Sequence, residues 1–554
     1  MKLKRFSVIN YKVFSKKFTI EFSDQNIVIL TGKNNTGKST FLEAINQFYL
    51  PTTAKTKIPI ECYSGQDETK IIELIAEFII DQDIITIKKK YANDNGKYFD
   101  IEDKEIKRGH SLKEVLDKIL ENSPYYITPY MTTDEIDKQV QEIYSQVITA
   151  ELTKLETEVS DESPIKKQYI ELKQSIPKLL TELKGQTDQS LKTVSQNVSR
   201  NLQGLFSNND LTLSVLGGES SGFSISDIVK STSSSVVIGN RTNPSMPLST
   251  QGTGIQRMSL IYIIQNMIEH GLMGHNSNKM LLIDEPEAFL HPEAVRALSR
   301  SLYAIGNKMP LFISTHSPVL IDLSENHTSI QVFRIGSDEA IELFQSSNSA
   351  FDRDDINNMK ILNYVDSYIN EFFFAANVII IEGDTEYVAL KHYIKEKELN
   401  IHAIRARGKS TICSLMKILN QFKAPYFILH DVDNHSNFEL STLRRQLTIC
   451  KKINSLRESG TRIFASIANF EQAIGIGDIS KNKKTETIFE IMNSSSKLDL
   501  KMKIYSFFYY IFGFAKDFNS ELGFLEIISD EDYDNLFAPL LTVDSVAATI
   551  DNNV

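Results

Sequence analysis

Tryptophan is absent from this chain of 554 residues, and cysteine is scarce. The three cysteines, Cys62, Cys413 and Cys450, lie far apart and form no Cys-x-x-Cys pair. This spacing excludes a disulfide framework and a structural zinc site as organising features. We therefore expect three isolated, reduced thiols.

Long apolar runs are also missing. The most apolar stretches, residues 372–381 and 505–515, are well short of the roughly 20 residues that a helix needs to span a bilayer. Residues 1–10 alternate basic and apolar side chains and contain no apolar signal segment. We therefore expect a cytoplasmic protein that makes no membrane contact.

The chain has no excess of positive charge. Its 60 Lys and Arg residues are outnumbered by 71 Asp and Glu residues, which gives a net charge of −11. Bulk charge therefore gives no general argument for nucleic-acid binding, and any such function must come from a local site. Hydrophobic residues at 41% and charged residues at 24% are typical of a folded globular chain, and the length indicates two to four domains.

The first half of the sequence reads as an α/β domain with a helical insertion. Short apolar segments at 4–9, 18–22 and 27–31, with an alternating segment at 71–79, predict a β-rich opening. Leu, Lys, Glu and Gln then dominate from 111 to 206 at helical spacing, which predicts an inserted helical arm. Gly, Ser and Thr dominate 217–243, which indicates a loop.

The second half alternates short strand candidates with helical segments, as α/β sheets do. Candidates lie at 281–283, 311–314 and 330–335, with a helix at 292–303; a second series lies at 378–381, 401–405, 426–430 and 463–465. The predicted division is 1–110 and 207–345 for the first α/β domain, 111–206 for the arm as a dimerisation candidate, 346–374 for a linker, 375–495 for the second α/β domain and 496–554 for a helical C-terminal extension.

A glycine-rich turn lies between the predicted strand at 27–30 and a predicted helix at 40–48. Backbone N–H groups of such a turn can bind phosphate oxygens, and the helix N-terminus adds a preference for anions. Lys38 can reach the β and γ phosphates and Ser39 can hold Mg²⁺. A chance turn is the alternative, which the strand and helix on either side disfavour. The segment consists of Gly32, Lys33, Asn34, Asn35, Thr36, Gly37, Lys38, Ser39 and Thr40.

Three further motifs complete a candidate nucleotide site. Asp284 can hold Mg²⁺ through water, and Glu285 can polarise the water that attacks the γ-phosphate. His316 is a candidate γ-phosphate contact, although a capping or packing histidine is the alternative. Ser249 and Gly252 precede a predicted long helix and form a candidate second anion cradle. In isolation, the two acids could be solvated turn residues.

Together these motifs resemble the SMC, RecF and OLD branch of the ABC ATPases, over roughly residues 1–340. The resemblance implies an SMC-type P-loop ATPase fold, ATP with Mg²⁺, and a homodimer or higher homo-oligomer through the ATPase domains. In that family the signature of one subunit closes on the nucleotide of another, a role that falls on Ser249 and Gly252. The signature departs from the transporter form, and Gln66 is the candidate for the Q-loop glutamine.

Two pairs of acids in the second α/β domain form another candidate site. Glu382 follows an apolar strand and Glu386 lies one helical turn beyond a glycine. Asp431 and Asp433 have the spacing of two that places both on one side of an extended chain. Such oxygens suit Mg²⁺ or Mn²⁺, and two ions about 3.5–4 Å apart can stabilise both reacting oxygens of a phosphodiester. Solvated turn residues are the alternative for either pair.

This ordered set resembles the Rossmann-like TOPRIM domain of topoisomerases, primases and OLD-family nucleases, over about residues 375–495. The segment 407–410 also fits the OLD version. The resemblance implies a further acid and a lysine, which we assign to Glu471 and Lys484. Lysine near the scissile phosphate would neutralise transition-state charge, while a solvated basic face at 481–484 is the alternative.

The two resemblances together imply an OLD-type protein: an ATP-hydrolysing, metal-dependent DNA endonuclease of prokaryotic anti-phage defence, in which the ATPase gates TOPRIM cleavage. DNA is the expected substrate, and a partner protein, RNA or DNA of a defence system is a further candidate. One alternative is an ATPase sensor or scaffold, for example with a retron, whose TOPRIM domain does not cut. Another is an SMC- or RecF-like repair ATPase, although the arm lacks the sustained heptads of a long coiled coil. A topoisomerase would need a nucleophilic tyrosine, and none stands out by context.

Overall fold

The computed structural model divides into two compact units, Met1–Leu320 with Ser329–Ile341, and Ile321–Thr328 with Glu342–Val554. The structure describes residues 1–51, 57–92, 96–132, 135–136, 138–141, 143–145, 147, 165–206, 208–217, 234–270, 272, 279–323, 328–336, 338–345, 352–365, 369–422, 424–477, 479–516 and 522–541. No helix within these residues is long and apolar enough to cross a membrane.

The first unit contains thirteen described strands and five described helices of more than one turn. The strands are β1 (Lys2–Ile9), β2 (Phe18–Glu21), β3 (Ile27–Thr31), β4 (Ile72–Ile80), β5 (Asp83–Tyr91), β6 (Lys97–Phe99), β7 (Tyr125–Ile127), β8 (Thr212–Gly217), β9 (Ser234–Gly239), β10 (Met246–Pro247), β11 (Leu281–Asp284), β12 (Leu311–Ser314) and β13 (Ile330–Ile335). The helices are α1 (Lys38–Tyr49), α2 (Lys113–Glu121), α3 (Ile165–Phe206), α4 (Thr253–Glu269) and α5 (Pro292–Gly306).

Five parallel strands of a six-stranded sheet, in the order β13-β3-β12-β11-β7, carry the motifs of this unit. Its central strands are fully buried apolar runs, as expected for a sheet covered on both faces. Since the strands are parallel, the residues that follow β3, β11 and β12 all emerge at one edge. A second, antiparallel sheet has the order β2-β1-β4-β5-β6, and β8, β9 and β10 form a third.

The predicted arm at 111–206 is only partly helical. β7 lies inside that range and pairs with β11, with Leu281 opposite Tyr125. Residues Leu116 and Ile119 of α2 are buried in the core of this unit. Three apolar residues are too few to show a period in the sequence, so the strand was missed. In the second half of the range, the structure describes one helix, α3 (Ile165–Phe206).

The predicted loop at 217–243 also contains an element. β9 pairs antiparallel with β8, with Val215 opposite Val236. The Ser and Gly residues at its ends resemble a loop, while Val236, Val237 and Ile238 provide the β-branched centre that favours a strand. Residues 218–233 lie outside the described part of the chain.

The second unit is built on a sheet with the order β16-β15-β17-β18-β19, in which β19 alone is antiparallel. Its strands are β15 (Val378–Ile381), β16 (His402–Arg405), β17 (Phe427–Asp431), β18 (Arg462–Ser466) and β19 (Phe524–Ile527). A further strand, β14 (Ala340–Gln345), is not part of this sheet, and the division between the two units falls within it. The helices are α6 (Arg353–Val365), α7 (Asp384–Glu396), α8 (Lys409–Leu419), α9 (Leu440–Ser455), α10 (Phe470–Ala473), α11 (Lys484–Asn493), α12 (Leu498–Ile511) and α13 (Asp530–Leu541).

Two ranges of this unit differ from expectation. The predicted linker at 346–374 contains α6, which Asp355 ties to α8 by accepting a hydrogen bond of 2.7 Å from Ser414. The predicted helical extension at 496–554 contributes β19 to the sheet. Arg462 of β18 holds that strand by two hydrogen bonds of 2.7 Å to Glu526. Neither contact has a signature in the local sequence, because both depend on partners more than 50 residues away.

Candidate functional site

The glycine-rich turn of the first unit joins β3 to α1 through several left-handed residues. Gly32 has φ 139°, Asn35 has φ 62° and Gly37 has φ 105°. A Cβ atom on Gly32 would lie 2.6 Å from the carbonyl oxygen of Ile335, so that position has no room for a side chain. The turn therefore needs glycine at this position, and turns of this kind can bind phosphate through their backbone N–H groups.

Lys38 is buried at the base of this turn. Its Nζ donates hydrogen bonds to the carbonyl oxygens of Gly32 at 3.2 Å and Lys33 at 2.9 Å. Burial lowers the pKa of Lys38, and the carboxylates of Glu285 and Asp284 act in the opposite direction. The lysine can therefore exchange two carbonyl oxygens for phosphate oxygens.

A cavity of about 530 Å³ opens at the turn. It collects most of the residues that the sequence assigned to nucleotide binding, along with Val13 and Tyr130, which the sequence analysis missed. Its lining consists of Val13, Asn34, Asn35, Gly37, Lys38, Ser39, Thr40, Tyr130, Glu285 and His316.

Asp284 ends β11 beside the turn and is almost fully buried. Ser314 donates a hydrogen bond to its Oδ1. Burial raises the pKa of Asp284, while hydrogen bonds from Ser314 and Ser39 oppose that shift. Asp284 and Ser39 are therefore placed where one Mg²⁺ could contact both.

Glu285 has a left-handed backbone with φ 44°, which turns its side chain toward the cavity. Its Oε1 lies 3.6 Å from Nε2 of His316. Burial lowers the pKa of His316, and the charge of Lys38 lowers it further. A neutral histidine and a carboxylate thus face one cavity, an arrangement that can orient a water molecule.

Two residues without a predicted role, Glu287 and Arg257, make hydrogen bonds next to Glu285 and His316. Glu287 accepts hydrogen bonds of 2.7 Å from the hydroxyl of Thr315 and from the backbone N–H of His316. Burial raises the pKa of Glu287, and these hydrogen bonds oppose the shift. An acid two residues beyond Glu285 was the available signal, but nothing in the local sequence pairs it with Thr315 and His316.

Arg257 is the second residue without a predicted role. It extends from α4 and donates to the backbone oxygens of Glu285, at 3.1 Å, and of Ala288. Its guanidinium also lies 5.6 Å from the ring centre of Phe289. The helix that follows the signature is therefore bonded to the backbone of the candidate water-orienting acid.

Seven of the residues assigned to this site do not line the cavity: Gly32, Lys33, Thr36, Asp284, Ser249, Gly252 and Gln66. Ser249 lies in a 3₁₀ turn at Leu248–Thr250, and Gly252 caps α4. Neither lines the cavity in the described part of this single chain. Gln66 lies in a separate turn with φ 58° and does not line it either, so its assignment as the Q-loop glutamine stays a prediction.

The second candidate site lies at the carboxyl edge of the second unit's sheet. Glu382 directly follows β15, and Asp431 ends the neighbouring strand β17. Oε2 of Glu382 accepts a hydrogen bond of 3.0 Å from the backbone N–H of Asp431. Glu386 projects from the first turn of α7, and a Cβ on Gly383 would lie 2.9 Å from its Oε2. Glycine thus allows the two glutamates to approach.

Three carboxyl groups of this cluster have raised pKa values, because they are buried next to one another. Burial, followed by nearby acidic charge, raises the pKa of Glu386 to about 8. Burial raises the pKa of Glu382 to about 7, although the charge of Lys409 opposes the shift. Burial and the charges of Glu386 and Glu382 also raise the pKa of Asp431 well above its ordinary value. A bound cation would relieve all three.

Two lysines already neutralise the remaining acids. Lys409, which begins α8, is buried and pairs with Oδ2 of Asp433; its Nζ also donates to Gln446 at 2.9 Å. Lys484 donates to Oε2 of Glu471 at 2.7 Å. Glu471 and Lys484, which were assigned separately from the resemblance, thus lie in contact, whereas Lys409 had no predicted role.

The residues fit a divalent cation by their unpaired oxygens. Among the described residues, Glu386 Oε1, Asp431 Oδ1 and Glu471 Oε1 are buried side-chain atoms without a hydrogen-bond partner. Such atoms are costly unless they bind a proton or a cation. No group of three or more His, Cys, Asp or Glu side chains in that part of the chain is already arranged around a metal position. The side chains of Glu386, Asp431 and Glu471 would therefore have to move closer together to bind an ion.

His430 connects this edge to the C-terminal helix α13. Its Nε2 lies 2.7 Å from the hydroxyl of Tyr533, and its Nδ1 lies 2.8 Å from the carbonyl oxygen of Asp431. Burial lowers the pKa of His430 to about 4. A neutral imidazole thus fixes the backbone of Asp431 from behind.

Two protein-family models match the chain. Residues 1–179 and 110–321 match the AAA ATPase domain. Residues 373–433 match the overcoming lysogenization defect protein-like TOPRIM domain. The two matches fall on the two units that carry the sites described above.

Two curated relatives match about half of the chain. The Old nuclease of Escherichia phage P2 is 28% identical over 302 residues, which are 50% of this chain and 47% of that protein. The OLD nuclease of Thermus scotoductus is 23% identical over 256 residues, which are 43% of this chain and 48% of that protein. The chain thus spans about half the length of the curated relatives it matches.

Solved structures give weaker similarity. An SMC head bound to the C-terminal winged-helix domain of ScpA covers 62% of this chain and 98% of its own, with 14% identity and a TM-score of 0.40. The SMC head domain from Thermotoga maritima covers 62% of this chain and 99% of its own, with 12% identity and a TM-score of 0.32.

Proposed function

Because the chain belongs to the AAA ATPase domain family and carries an OLD-like TOPRIM domain, we propose that it is an ATP-hydrolysing DNA endonuclease of the OLD type. One observation carries the nuclease part: buried carboxylate oxygens without hydrogen-bond partners converge at the carboxyl edge of a parallel sheet. The relatives' name, OLD nuclease, supports it. Anti-phage defence is the proposed setting.

Glu382, Glu386 and Asp431 are the proposed holders of Mg²⁺ or Mn²⁺, with Asp433 and Glu471 beside them. A divalent cation at such a site supplies Lewis-acid stabilisation of phosphate oxygens. Lys484 is proposed to neutralise charge at the scissile phosphate, since it already contacts Glu471 at 2.7 Å.

In the first unit, we propose that Lys38 and the glycine-rich turn bind the phosphates of ATP, and that Ser39 and Asp284 bind Mg²⁺. Glu285 accepts a proton from the attacking water, and His316 binds near the γ-phosphate. Since Ser249 and Gly252 do not line the cavity of their own chain, a second copy is proposed to supply them. The proposed assembly is a homodimer or higher homo-oligomer in which ATP controls cleavage.

One observation favours a second candidate function. Lys409 and Lys484 already pair with two of the five acids, which is also how a domain that no longer binds metal could be stabilised. In that case the protein would be an ATPase sensor or scaffold in a defence complex with a protein or nucleic-acid partner.

Nicking of supercoiled plasmid DNA by the purified full chain separates the two candidates. We expect nicking with Mg²⁺ or Mn²⁺, none with EDTA, and a loss on the order of 1,000-fold in an Asp431→Ala variant. Asp354→Ala, an exposed acid on α6, is the matched control and should nick normally. Nicking by Asp431→Ala at the normal rate would contradict the proposed site, and a wild-type chain that hydrolyses ATP but never nicks would favour the scaffold.

Lys409→Met is expected to tighten metal binding while destabilising the metal-free protein. Removing the buried lysine leaves Asp433 without its cation, which should cost about 3 kcal/mol of unfolding free energy. It also removes a positive charge that competes with the metal, so Mn²⁺ affinity should rise about tenfold or more. Calorimetric titration with Mn²⁺ and thermal unfolding with and without it measure both effects.

Lys417→Met is the matched control for this experiment. Lys417 lies on the same helix and pairs with the buried Asp355, away from the acids at the sheet edge. It should lower stability without changing Mn²⁺ affinity. Equal Mn²⁺ affinity in Lys409→Met and the wild type would show that Lys409 does not compete with a metal.

A further inference from the structure

A cavity of about 450 Å³ lies in the second unit, where the C-terminal end of α7 meets α12. We call it the aromatic pocket. Residues from both helices and from the segment after α12 line it. The lining that matters for its chemistry consists of Tyr393, Lys397, Met502, Tyr505, Tyr509 and Phe514.

The floor of the aromatic pocket is rigid. Tyr393 and Tyr505 are buried, with ring centres 4.8 Å apart in an edge-to-face arrangement. The hydroxyl of Tyr505 donates to Glu396 at 2.8 Å and lies 2.9 Å from Nδ1 of His392. These contacts fix the tyrosine rings, so the pocket can receive a planar group without reorganising.

The rim of the pocket is aromatic and open to solvent. Tyr509 is 48% exposed and Phe514 is 49% exposed, and their ring centres are 5.2 Å apart. Met502 beside them is 54% exposed. Exposed aromatic and methionine side chains around one cavity usually mark a binding surface. The residues that form it play no part in either site described above.

The two segments that build the pocket contain more lysines than acids, with Lys501 paired to Glu396 and Lys497 to Glu490. These segments, 391–399 and 497–516, contain seven lysines and three acids, whereas the whole chain has a net charge of −11. Lys397 lines the cavity, and the ammonium groups of Lys397 and Lys501 lie 5.9 and 5.2 Å from the ring centre of Tyr505. The lysines are Lys391, Lys395, Lys397, Lys497, Lys501, Lys503 and Lys516.

We propose that the aromatic pocket binds single-stranded nucleic acid. Aromatic rings next to cationic side chains stack bases and hold phosphates, which requires bases that are not paired within a duplex. Tyr509 and Phe514 stack bases, and the surrounding lysines bind the backbone. The assignment rests on the proposed nuclease function and deepens it by naming an unpaired strand as part of the substrate.

α7 fixes the distance between the pocket and the acids. Glu386 lies in the first turn of this helix, while Tyr393 and Lys397 lie at its other end. At about 1.5 Å per residue, the rise from Glu386 to Lys397 is roughly 16 Å. A stacked strand covers that distance with about five nucleotides at about 3.4 Å each. One short strand is therefore long enough to reach both places.

Fluorescence anisotropy of the full chain in EDTA tests the proposal without any cleavage. The probes are a labelled 20-nucleotide oligothymidylate and a labelled duplex of the same length. We expect the single strand to bind more tightly, and a Tyr509→Ala, Phe514→Ala double variant to lose about tenfold in affinity for it. Lys397→Gln should weaken the binding and reduce its salt dependence. Phe489→Ala, an exposed aromatic on α11 that does not line the cavity, should bind normally.

Four results would overturn the proposal. They are unchanged single-strand affinity in the double variant, an equal loss in Phe489→Ala, full competition by thymidine monophosphate at the same molar concentration as the oligomer, and a change of oligomeric state in the double variant. The last would assign the surface to a second copy of the chain. An Asp431→Ala chain should bind the oligomer normally, so failure to cleave and failure to bind are read separately.

Discussion

Replacing Glu386 with glutamine is expected to abolish DNA cleavage and, in the same protein, to raise the stability of the metal-free state. Glu386 is only 1% exposed and lies close to Glu382 and Asp431. Glutamine keeps its shape and removes one of the repelling charges. It also removes a ligand oxygen, so cleavage should fall on the order of 1,000-fold. A residue that served only packing would not give these opposite effects.

The pH dependence of stability gives the size of this effect. Burial raises the pKa of Glu386 to about 8, whereas an unfolded glutamate titrates near 4.3. Between these values the folded state binds more protons than the unfolded state, so stability falls as pH rises through that window. Glu386→Gln should remove this contribution and gain on the order of 3 kcal/mol at pH 8. Below about pH 4 the variant and the wild type should be equally stable.

Chemical unfolding at pH 4, 6 and 8 in EDTA measures this difference, and plasmid nicking measures cleavage. Glu398→Gln, an exposed glutamate just beyond α7, is the control and should change neither. Mn²⁺ should stabilise the wild type at pH 8 much more than it stabilises Glu386→Gln. A variant that is less stable than the wild type at pH 8, or that responds equally to Mn²⁺, would contradict the assignment.

Glu285→Gln is expected to stop ATP hydrolysis while leaving ATP bound. Glu285 faces the cavity beside Lys38 and His316, where it can accept a proton from the attacking water. Loss of a general base lowers a rate by about 10²–10⁴-fold, and an amide does not repel the γ-phosphate. Phosphate release and binding of a fluorescent ATP analogue measure the two properties. Glu293→Gln, an exposed acid in the first turn of α5, is the control.

The same variant tests whether ATP controls cleavage. If bound ATP sets the state that cuts, Glu285→Gln should remain in one state, and its nicking should no longer change as ATP is consumed. A Lys38→Ala variant, which cannot hold the phosphates, should resemble the protein without ATP. Hydrolysis that continues in Glu285→Gln would assign the general base elsewhere, and identical nicking in both variants would contradict control by ATP.

Sequence reasoning was most successful where a chemical motif and its flanking elements are contiguous. β3, the glycine-rich turn and α1 occupy consecutive residues, so the turn and its lysine could be predicted together. The acids after β15 and β17 were also predictable, because parallel strands bring their carboxyl ends to the same edge. These features define the α/β class and both candidate sites.

Contacts between residues that are distant in the chain could not be predicted from the sequence. Arg257 bonds to the backbone of Glu285 from a helix 28 residues away, and Lys409 finds Asp433 across 24 residues. The sequence around Arg257 and around Lys409 contains no local pattern that predicts these partners. β7 and β19 were missed for the same reason, since each is a short strand that exists only because a neighbouring strand accepts it.

The position of β19 affects how shortened versions of this protein should be interpreted. Deleting the residues beyond about 515 would remove the strand that covers β18, as well as the tyrosine that hydrogen-bonds to His430 behind Asp431. The uncovered strand would present unpaired N–H and C=O groups and invite aggregation. Loss of cleavage after such a deletion would therefore report a damaged sheet, and would not identify chemistry in the deleted residues.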